Sequence, residues 1–452
     1  MTELVEKKED LLRYFESGSK PREQWRVGSE YEKVAVSARD GRALPFSGPN
    51  GVEAILKLMA ERHGYEPEEE HGRILALKTP HASITIEPGG QIELSGEQCE
   101  TIHCAYREFS EHQTQLVDAA REVGGAILGL GMQPISKFDE IELLPKARYH
   151  IMYPYMARKG SLGQRMMKQT AGVQSNLDYT SEADAMRKLR VSMGIVPLLY
   201  AIFANSPLCD GDLNGYQSFR GHIWSDTDRE RCGTPEFTLR EDSSFDDYAE
   251  YALDVPMYFI VRHHEYLDLT RPPGITFRRY MKDGWNGQRA SLEDWASHLT
   301  TIFTEVRLKS YIEIRTADSQ PPALMLALPA LLKGILYSDD CLGGAWDLVK
   351  RWTYRERLEI TSAAQRIGLE ARAGRQRLSE IAGELLKIAA TGLVRAHALN
   401  NRGEDESIYL LRTMEMVHGG VTPASLTIAQ WKGNWNYDVR RMVEGTAYET
   451  RR

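Results

Sequence analysis

The sequence predicts an α+β protein in which an antiparallel sheet is combined with helices. Predicted strands are confined to the first two thirds of the chain, and two of them meet at a tight Pro88-Gly89-Gly90 turn. From Pro321 onward the pattern is almost wholly helical. No linker rich in serine, glycine or proline and no internal repeat divides the chain. We therefore predict a single domain over residues 1–452, with a helical C-terminal part from about residue 321.

The first five elements are predicted from local patterns, in chain order. Residues 2–17 are amphipathic and predict a helix, and residues 25–38 alternate polar side chains with Val and Tyr, which is typical of a strand. Residues 50–62 predict a second helix. Residues 81–96 predict a hairpin, because two alternating apolar runs flank the Pro-Gly-Gly turn, and residues 96–122 predict a long helix.

The remaining elements follow the same logic. Residues 124–134 predict a glycine-rich strand and residues 170–179 a further strand. The helix over residues 181–203 has the strongest signal, because a capping-box pattern precedes apolar residues at helical spacing and an Asn-Ser-Pro sequence follows it. Residues 308–316 predict another strand. Within the C-terminal part, residues 377–396 predict an amphipathic helix.

Composition excludes several classes of protein. The net charge of −8 argues against a general nucleic-acid binder, which carries a basic field. The five cysteines have no C-x-x-C spacing, so we expect reduced thiols and no structural zinc site. The charged N-terminus has no apolar signal region, and the longest apolar stretch, residues 195–204, is too short to span a bilayer. These features predict a cytoplasmic protein with no membrane association.

Acidic side chains recur on one face of the predicted strands. Side chains at i and i+2 of a strand share a face, and this spacing groups polar residues opposite apolar ones in four separate segments. The glutamates among them are Glu30, Glu32, Glu87, Glu93 and Glu313, and the third segment carries Gln174, Asn176 and Asp178. A solvated sheet face would explain any one strand, but glutamate is unfavourable in strands. Divalent cations would relieve the repulsion among these carboxylates, and oxygen ligands suit magnesium or manganese.

Basic residues close to these strands reduce the number of reactions that the acidic site could catalyse. Arg220, Arg307, Lys309 and Arg315 lie near or within the acidic segments. Arginines beside metal-binding carboxylates favour an anionic, phosphate-bearing substrate, although each one alone could form a surface ion pair. Paired carboxylates also serve glycosidases. The sequence has no P-loop, no G-x-S-x-G and no H-E-x-x-H.

Several longer motifs resemble a known family. They are GSEYEK, IEPGGQIELSG, MMKQTAGVQSNLDYTSEADAMRKLR, FANSP, GYQSFRGHIWSDTDRERCG and HLTTIFTEVRLKSYIEIRTAD. In combination they resemble the plant-type glutamate–cysteine ligases of plants and many proteobacteria, over nearly the whole chain. The resemblance implies a glutamine-synthetase-like fold, with a curved antiparallel sheet, an acidic concave face and helices packed outside.

The resemblance also implies an activity and a set of site residues. The γ-carboxylate of glutamate attacks ATP, and the amine of cysteine then attacks the γ-glutamyl phosphate, which is the first step of glutathione synthesis. The implied metal ligands, for magnesium or manganese, are Glu30, Glu32, Glu87, Glu93, Glu313 and Gln174. The implied catalytic residues are Arg220 and Arg315, and the further candidates for nucleotide or substrate contact are Arg307, Lys309, Lys168 and Asn176.

Three alternatives stay open at this point. The first is the same mechanism with a different amine acceptor, because no acceptor pocket can be identified in the sequence. The second is a phosphohydrolase that uses the same acidic site, and the third is a binding protein without activity. The expected partners are small molecules, namely glutamate, cysteine and ATP, and we expect a monomer or a weak homodimer.

Overall fold

A computed structural model describes residues 3–449 of the chain. Its strands are β1 Val27–Ser37, β2 Glu66–Glu70, β3 Arg73–Lys78, β4 Ser83–Ile86, β5 Ile92–Ser95, β6 Gly125–Leu128, β7 Gly172–Leu177, β8 Leu208–Cys209, β9 Asp212–Leu213, β10 Cys232–Gly233, β11 Phe259–Arg262, β12 Glu265–Asp268, β13 Phe303–Thr304, β14 Val306–Leu308, β15 Ile312–Asp318, β16 Arg372–Ala373 and β17 Gln376–Arg377.

The α-helices account for most of the remaining regular structure in residues 3–449. They are α1 Lys8–Glu16, α2 Val52–His63, α3 Ile102–Glu122, α4 Ala147–Met156, α5 Gly163–Gln169, α6 Glu182–Phe203, α7 Phe219–Ser225, α8 Phe245–Asp254, α9 Phe277–Asp283, α10 Leu292–Leu299, α11 Ala327–Leu336, α12 Asp339–Val349, α13 Tyr354–Ile367, α14 Leu378–Ala396, α15 Leu411–His418, α16 Pro423–Lys432 and α17 Val439–Thr446.

One large antiparallel sheet organises the fold. Its strand order is β14-β15-β7-β1-β5-β4-β3-β2, and β6 pairs with the C-terminal half of β1. Every pairing in this sheet is antiparallel. The predicted α+β class is therefore confirmed.

The apolar face of the sheet carries the helices. Tyr31 is buried on β1 and its ring lies 5.0 Å from the ring of Phe109 on α3. The apolar side chains of the β4–β5 hairpin are also buried, as their alternation predicts. Helices α6 and α11 pack against β15 and β7 further along the sheet. Because the helices cover this face, the acidic side chains of the same strands point to the opposite face.

Most predicted elements are present, with shifted ends. The predicted strands at 25–38, 124–134 and 170–179 contain β1, β6 and β7, and the predicted hairpin contains β4 and β5. The helix predicted over 181–203 is α6, with Ser181 accepting a hydrogen bond from the backbone N–H of Asp184. The helix predicted over 2–17 contains α1, although Thr2 lies outside the described residues.

Three expectations were wrong in detail. The strand predicted over 308–316 is two strands, β14 and β15, because the chain reverses between Leu308 and Ile312. The helix predicted from residue 96 begins only at Ile102, since Thr101 caps it. Cys99 and Cys104 form a disulfide, so the expected reduced thiols are not found for this pair. No helix in the described part of the chain is both long and apolar enough to cross a membrane.

Candidate active site

Sheet register places the predicted acidic residues side by side. Glu32 lies directly opposite Glu93, and Glu30 lies opposite Gln174. One strand further, Glu313 lies opposite Asn176. The four strands β15, β7, β1 and β5 therefore bring residues from distant parts of the sequence into one polar face.

The hydrogen bonds that Glu30, Glu32 and Glu93 accept come from neutral donors. Glu30 accepts a hydrogen bond from the amide of Asn176 at 3.0 Å, and Glu93 accepts bonds from the hydroxyls of Thr85 and Ser95 at 3.2 and 2.8 Å. Glu32 accepts the backbone N–H of Gly172. These donors are neutral, so they leave the negative charge in place.

The electrostatic consequence is a raised pKa at all three positions. Burial is the largest cause for Glu30, Glu32 and Glu93, and repulsion by neighbouring carboxylates raises each pKa further. Glu87, the residue that follows β4, contributes to the repulsion at Glu32 and Glu93. A cation bound among these oxygens would relieve both effects.

The donor set fits a hard divalent cation. Glu30, Glu32, Glu87 and Glu93 offer only oxygen atoms, which magnesium and manganese prefer. Asn176 adds a buried side-chain oxygen that has no hydrogen-bond partner in the described part of the chain. Such an unpaired buried oxygen is costly unless a ligand satisfies it. The residues therefore fit a divalent cation.

Glu313 has a different environment from the other glutamates. It forms a bidentate ion pair with Arg307, with distances of 2.6 and 2.7 Å to Nη2, and a further ion pair with Arg315. Lys309 lies 3.8 Å away. These cations hold the pKa of Glu313 well below its usual range, although burial opposes them. A cation at Glu313 would have to compete with two arginines.

Arg220 is positioned by the start of α7. Ser218 caps this helix by accepting the N–H of Gly221 at 3.2 Å. The Arg220 guanidinium donates to the backbone carbonyls of Thr316 and Arg315 on β15, at 3.1 and 3.0 Å. The side chain is buried, yet its Nε has no hydrogen-bond partner among the residues that the structure describes.

A cavity of about 110 Å³ opens beside the acidic face. On the acidic side it is lined by Glu32 and Glu87, and on the basic side by Arg148, Arg220 and Arg315. Its apolar wall consists of Met152, Met166, Met167, Trp224 and Phe303, among others.

Unpaired donors mark this cavity as an anion site. The Nε atoms of Arg148 and Arg220 and the indole N–H of Trp224 are buried and have no hydrogen-bond partner among residues 3–449. All three residues line the cavity. Buried donors are normally satisfied, so an anionic or strongly polar ligand suits this position. Together with the carboxylates, the cavity offers an anion site directly beside a cation site.

The sequence prediction missed part of this cavity. Arg148 lies on α4, outside every strand that the acidic pattern selected, and only its place near the cavity shows its relevance. Trp224 and Phe303 give an ordinary core signal in the sequence. No periodic pattern could have separated these residues from packing residues.

Other predicted residues lie outside the cavity lining. The ammonium of Lys168 lies 4.3 Å from the ring centre of Phe138, and burial lowers its pKa. Lys309 donates to the hydroxyl of Tyr311 at 2.5 Å. The amide oxygen of Gln174 accepts a hydrogen bond from Arg315, so this predicted metal ligand is already engaged. The roles of these residues stay predictions.

Comparison with solved structures shows the class of fold. The chain resembles the glutamate–cysteine ligase of Francisella tularensis in complex with AMP, with a TM-score of 0.57. The match covers 94% of this chain and 90% of that one at 14% identity. The fold is therefore that of a glutamate–cysteine ligase.

Comparison of sequences then gives the family. The model of glutamate–cysteine ligase family 2 matches residues 26–445. The chain is 40% identical over 444 residues to the chloroplastic glutamate–cysteine ligases of Brassica juncea and Arabidopsis thaliana, covering 98% of this chain and 84% and 83% of theirs. The chain belongs to glutamate–cysteine ligase family 2. It is a ligase that joins glutamate to cysteine.

Proposed function

We propose that the ligation proceeds from ATP through γ-glutamyl phosphate, with the chemistry located between the acidic face and the arginine-lined cavity. The observation that carries this proposal is the cavity itself, in which Glu32 and Glu87 stand opposite Arg148, Arg220 and Arg315. A reaction between a carboxylate and a triphosphate needs this combination, because two anions must approach each other. The AMP bound by the Francisella relative suits a nucleotide substrate.

The arginines bind and orient the anionic groups. Arg220 and Arg315 are our candidates for the glutamate carboxylates and the transferring phosphoryl group, and Arg148 joins them because it lines the same cavity. Arginine suits this task because its planar guanidinium forms paired hydrogen bonds with carboxylate and phosphate oxygens. No protein nucleophile is required, since the substrate carboxylate attacks the phosphate. Most of the rate acceleration then comes from positioning and charge stabilisation.

The cation ligands are Glu30, Glu32, Glu87 and Glu93 in this proposal. Asn176 supplies a further oxygen, while Gln174 and Glu313 are weaker candidates because arginines occupy their oxygens. Magnesium or manganese would supply the positive charge that neutralises these carboxylates and the phosphate oxygens of ATP. The carboxylates must lose their protons to bind it, so affinity should increase with pH over the range of their raised pKa values.

The reaction is tested by measuring ADP release with Mg-ATP, adding glutamate and cysteine separately and then together. We expect ADP formation that requires both amino acids, with γ-glutamylcysteine identified by mass spectrometry. If another amine gives faster turnover than cysteine, that amine is the acceptor and the proposed mechanism is unchanged. ADP formation without glutamate would favour a phosphohydrolase and contradict the proposal.

The cation site is tested by Glu32→Gln, with Glu68→Gln as the matched control. Glu68 lies exposed on β2 of the same sheet and pairs with Lys78. We expect magnesium to raise the melting temperature of the wild type and of the control, more at pH 8 than at pH 6. The stabilisation should be lost in Glu32→Gln, and kcat/KM should fall by about 100-fold or more. Equal stabilisation of both variants would refute the assignment.

We also propose a cytoplasmic location, a single domain over residues 1–452, and a monomer or weak homodimer that binds neither nucleic acid nor membranes. The net charge of −8 supports the exclusion of nucleic acid. Cell fractionation, limited proteolysis and sedimentation at several protein concentrations test these points. The curated plant relatives are chloroplastic. Recovery of the protein from a membrane-enclosed compartment would contradict the cytoplasmic location.

A further inference from the structure

We propose that Asp318 is the residue that positions Arg220 for the reaction. Asp318 is the last residue of β15 and lies outside the cavity lining, so it acts through Arg220 and not on a substrate. The inference rests on the role of Arg220 in the proposed function.

Asp318 connects two segments that are separated in the sequence. Its Oδ2 accepts the backbone N–H of Asn205 at 2.8 Å and the hydroxyl of Ser206 at 2.7 Å. Its Oδ1 accepts the hydroxyl of Ser218 at 2.9 Å. All four residues are almost completely buried. The carboxylate therefore joins the turn after α6 to the start of α7.

The two hydroxyls carry the connection onward to Arg220. Ser206 Oγ accepts the backbone N–H of Arg220 at 3.0 Å, and Ser218 Oγ accepts the N–H of Gly221 at 3.2 Å. A hydroxyl has one hydrogen and two lone pairs. Because Asp318 takes the hydrogen of both hydroxyls, their lone pairs are left to face the backbone N–H groups of α7.

A carboxylate is needed for this arrangement. An ionised carboxylate only accepts hydrogen bonds, so it fixes the direction of both hydroxyls at once. Asparagine would place an N–H₂ group towards one of the three donors and reverse or break that bond. The side chain of Arg220 also donates to the carbonyls of Arg315 and Thr316 on β15. Strand β15 therefore holds Arg220 in two ways. It accepts hydrogen bonds from the guanidinium directly, and it binds the backbone N–H through Ser206 and Asp318.

A purely structural role predicts a different outcome from a positioning role. A buried carboxylate with three donors stabilises the local turn in either case, so loss of stability does not distinguish them. If Asp318 acts through Arg220, its replacement has no further effect once the guanidinium is absent. A double-mutant cycle between the two residues measures this dependence.

The experiment compares wild type, Asp318→Asn, Arg220→Ala and the double variant by kcat and KM, with melting temperature measured in parallel. We expect Asp318→Asn to lower kcat/KM by about ten- to a hundredfold. Whichever of kcat and KM changes in Arg220→Ala should also be the one that changes in Asp318→Asn. The double variant should match Arg220→Ala alone. Multiplying losses in the double variant would overturn the positioning role. Wild-type activity in Arg220→Ala would instead refute the proposed role of Arg220.

Two further variants keep the test informative. Ser218→Ala removes the hydrogen bond between the Ser218 hydroxyl and Asp318 and leaves Asp318 in place. If Asp318→Asn does not fold, Ser218→Ala takes its place in the double-mutant cycle. Glu406→Gln is the control, because Glu406 is also a completely buried carboxylate, which accepts from the N–H of Ile102 at 2.5 Å and from Lys333 at 2.7 Å. Glu406→Gln should lower the melting temperature and reduce kcat/KM only slightly. In the double variant with Arg220→Ala, the two fold-reductions in kcat/KM should multiply.

Discussion

Replacing Gly89 by alanine should displace the tip of the β4–β5 hairpin and impair catalysis. A Cβ atom at residue 89 would lie 2.0 Å from the backbone oxygen of Lys168. A carbon and a carbonyl oxygen normally stay about 3.3 Å apart, so the two segments must separate by about 1 Å. The neighbouring atom belongs to the backbone, and a change of side-chain rotamer cannot relieve the contact.

The displacement reaches the acidic face because the turn is tightly connected. Gly90 donates its N–H to the carbonyl of Glu87 at 2.9 Å, and Gln91 donates to the carbonyl of Thr170 at 2.6 Å. A movement of the tip therefore shifts Glu87. Misplacement by 1 Å in a catalytic site costs about 100-fold in rate, and overpacking of this kind costs about 1–3 kcal/mol of stability.

The assay is steady-state ADP release at saturating Mg-ATP, together with the melting temperature. The matched control is Gly383→Ala, on α14, where an added Cβ meets no atom of residues 3–449 within 4 Å. Alanine there should leave kcat/KM unchanged and add up to about 1 kcal/mol of stability. Wild-type kcat/KM in Gly89→Ala would refute the coupling between the hairpin tip and the acidic face, even if its melting temperature fell.

The remaining predictions concern the buried charges. Arg231→Met should destabilise the protein by about 3–5 kcal/mol in denaturant unfolding, because it leaves Asp228 buried without its 2.7 Å ion pair, and an unchanged midpoint would refute this. His298 is buried, burial lowers its pKa to about 4, and its ring hydrogen-bonds the carbonyl of Ala252. Its neutral form therefore contributes stability above pH 6.5 that is lost as the pH falls towards 4, about 3 kcal/mol in total. Unfolding free energies should fall less steeply over that range in His298→Gln, and parallel curves would contradict the assignment.

The strands that carry the acidic face were predictable from local sequence. In β1 the alternation of Glu30 and Glu32 with Tyr31 defines two faces, and the structure buries Tyr31 against α3. The hairpin of β4 and β5 was equally clear, because a Pro-Gly-Gly turn allows few alternatives. The reversal between β14 and β15 was missed. Its residues, Lys309, Ser310 and Tyr311, include no glycine or proline that would indicate a turn.

The sequence by itself determined which side chains share a face, because the alternation of a strand is a local property of two successive residues. Only the tertiary structure decided which faces meet. Arg307 neutralises Glu313 because β14 folds back beside β15. Arg148 reaches the cavity because α4 lies against the end of β4, where Tyr149 donates to the carbonyl of Ile86 at 3.4 Å. Neither contact leaves a periodic signal, since each depends on packing between segments and not on the spacing within one. The charge balance of the site is therefore a property of the folded chain.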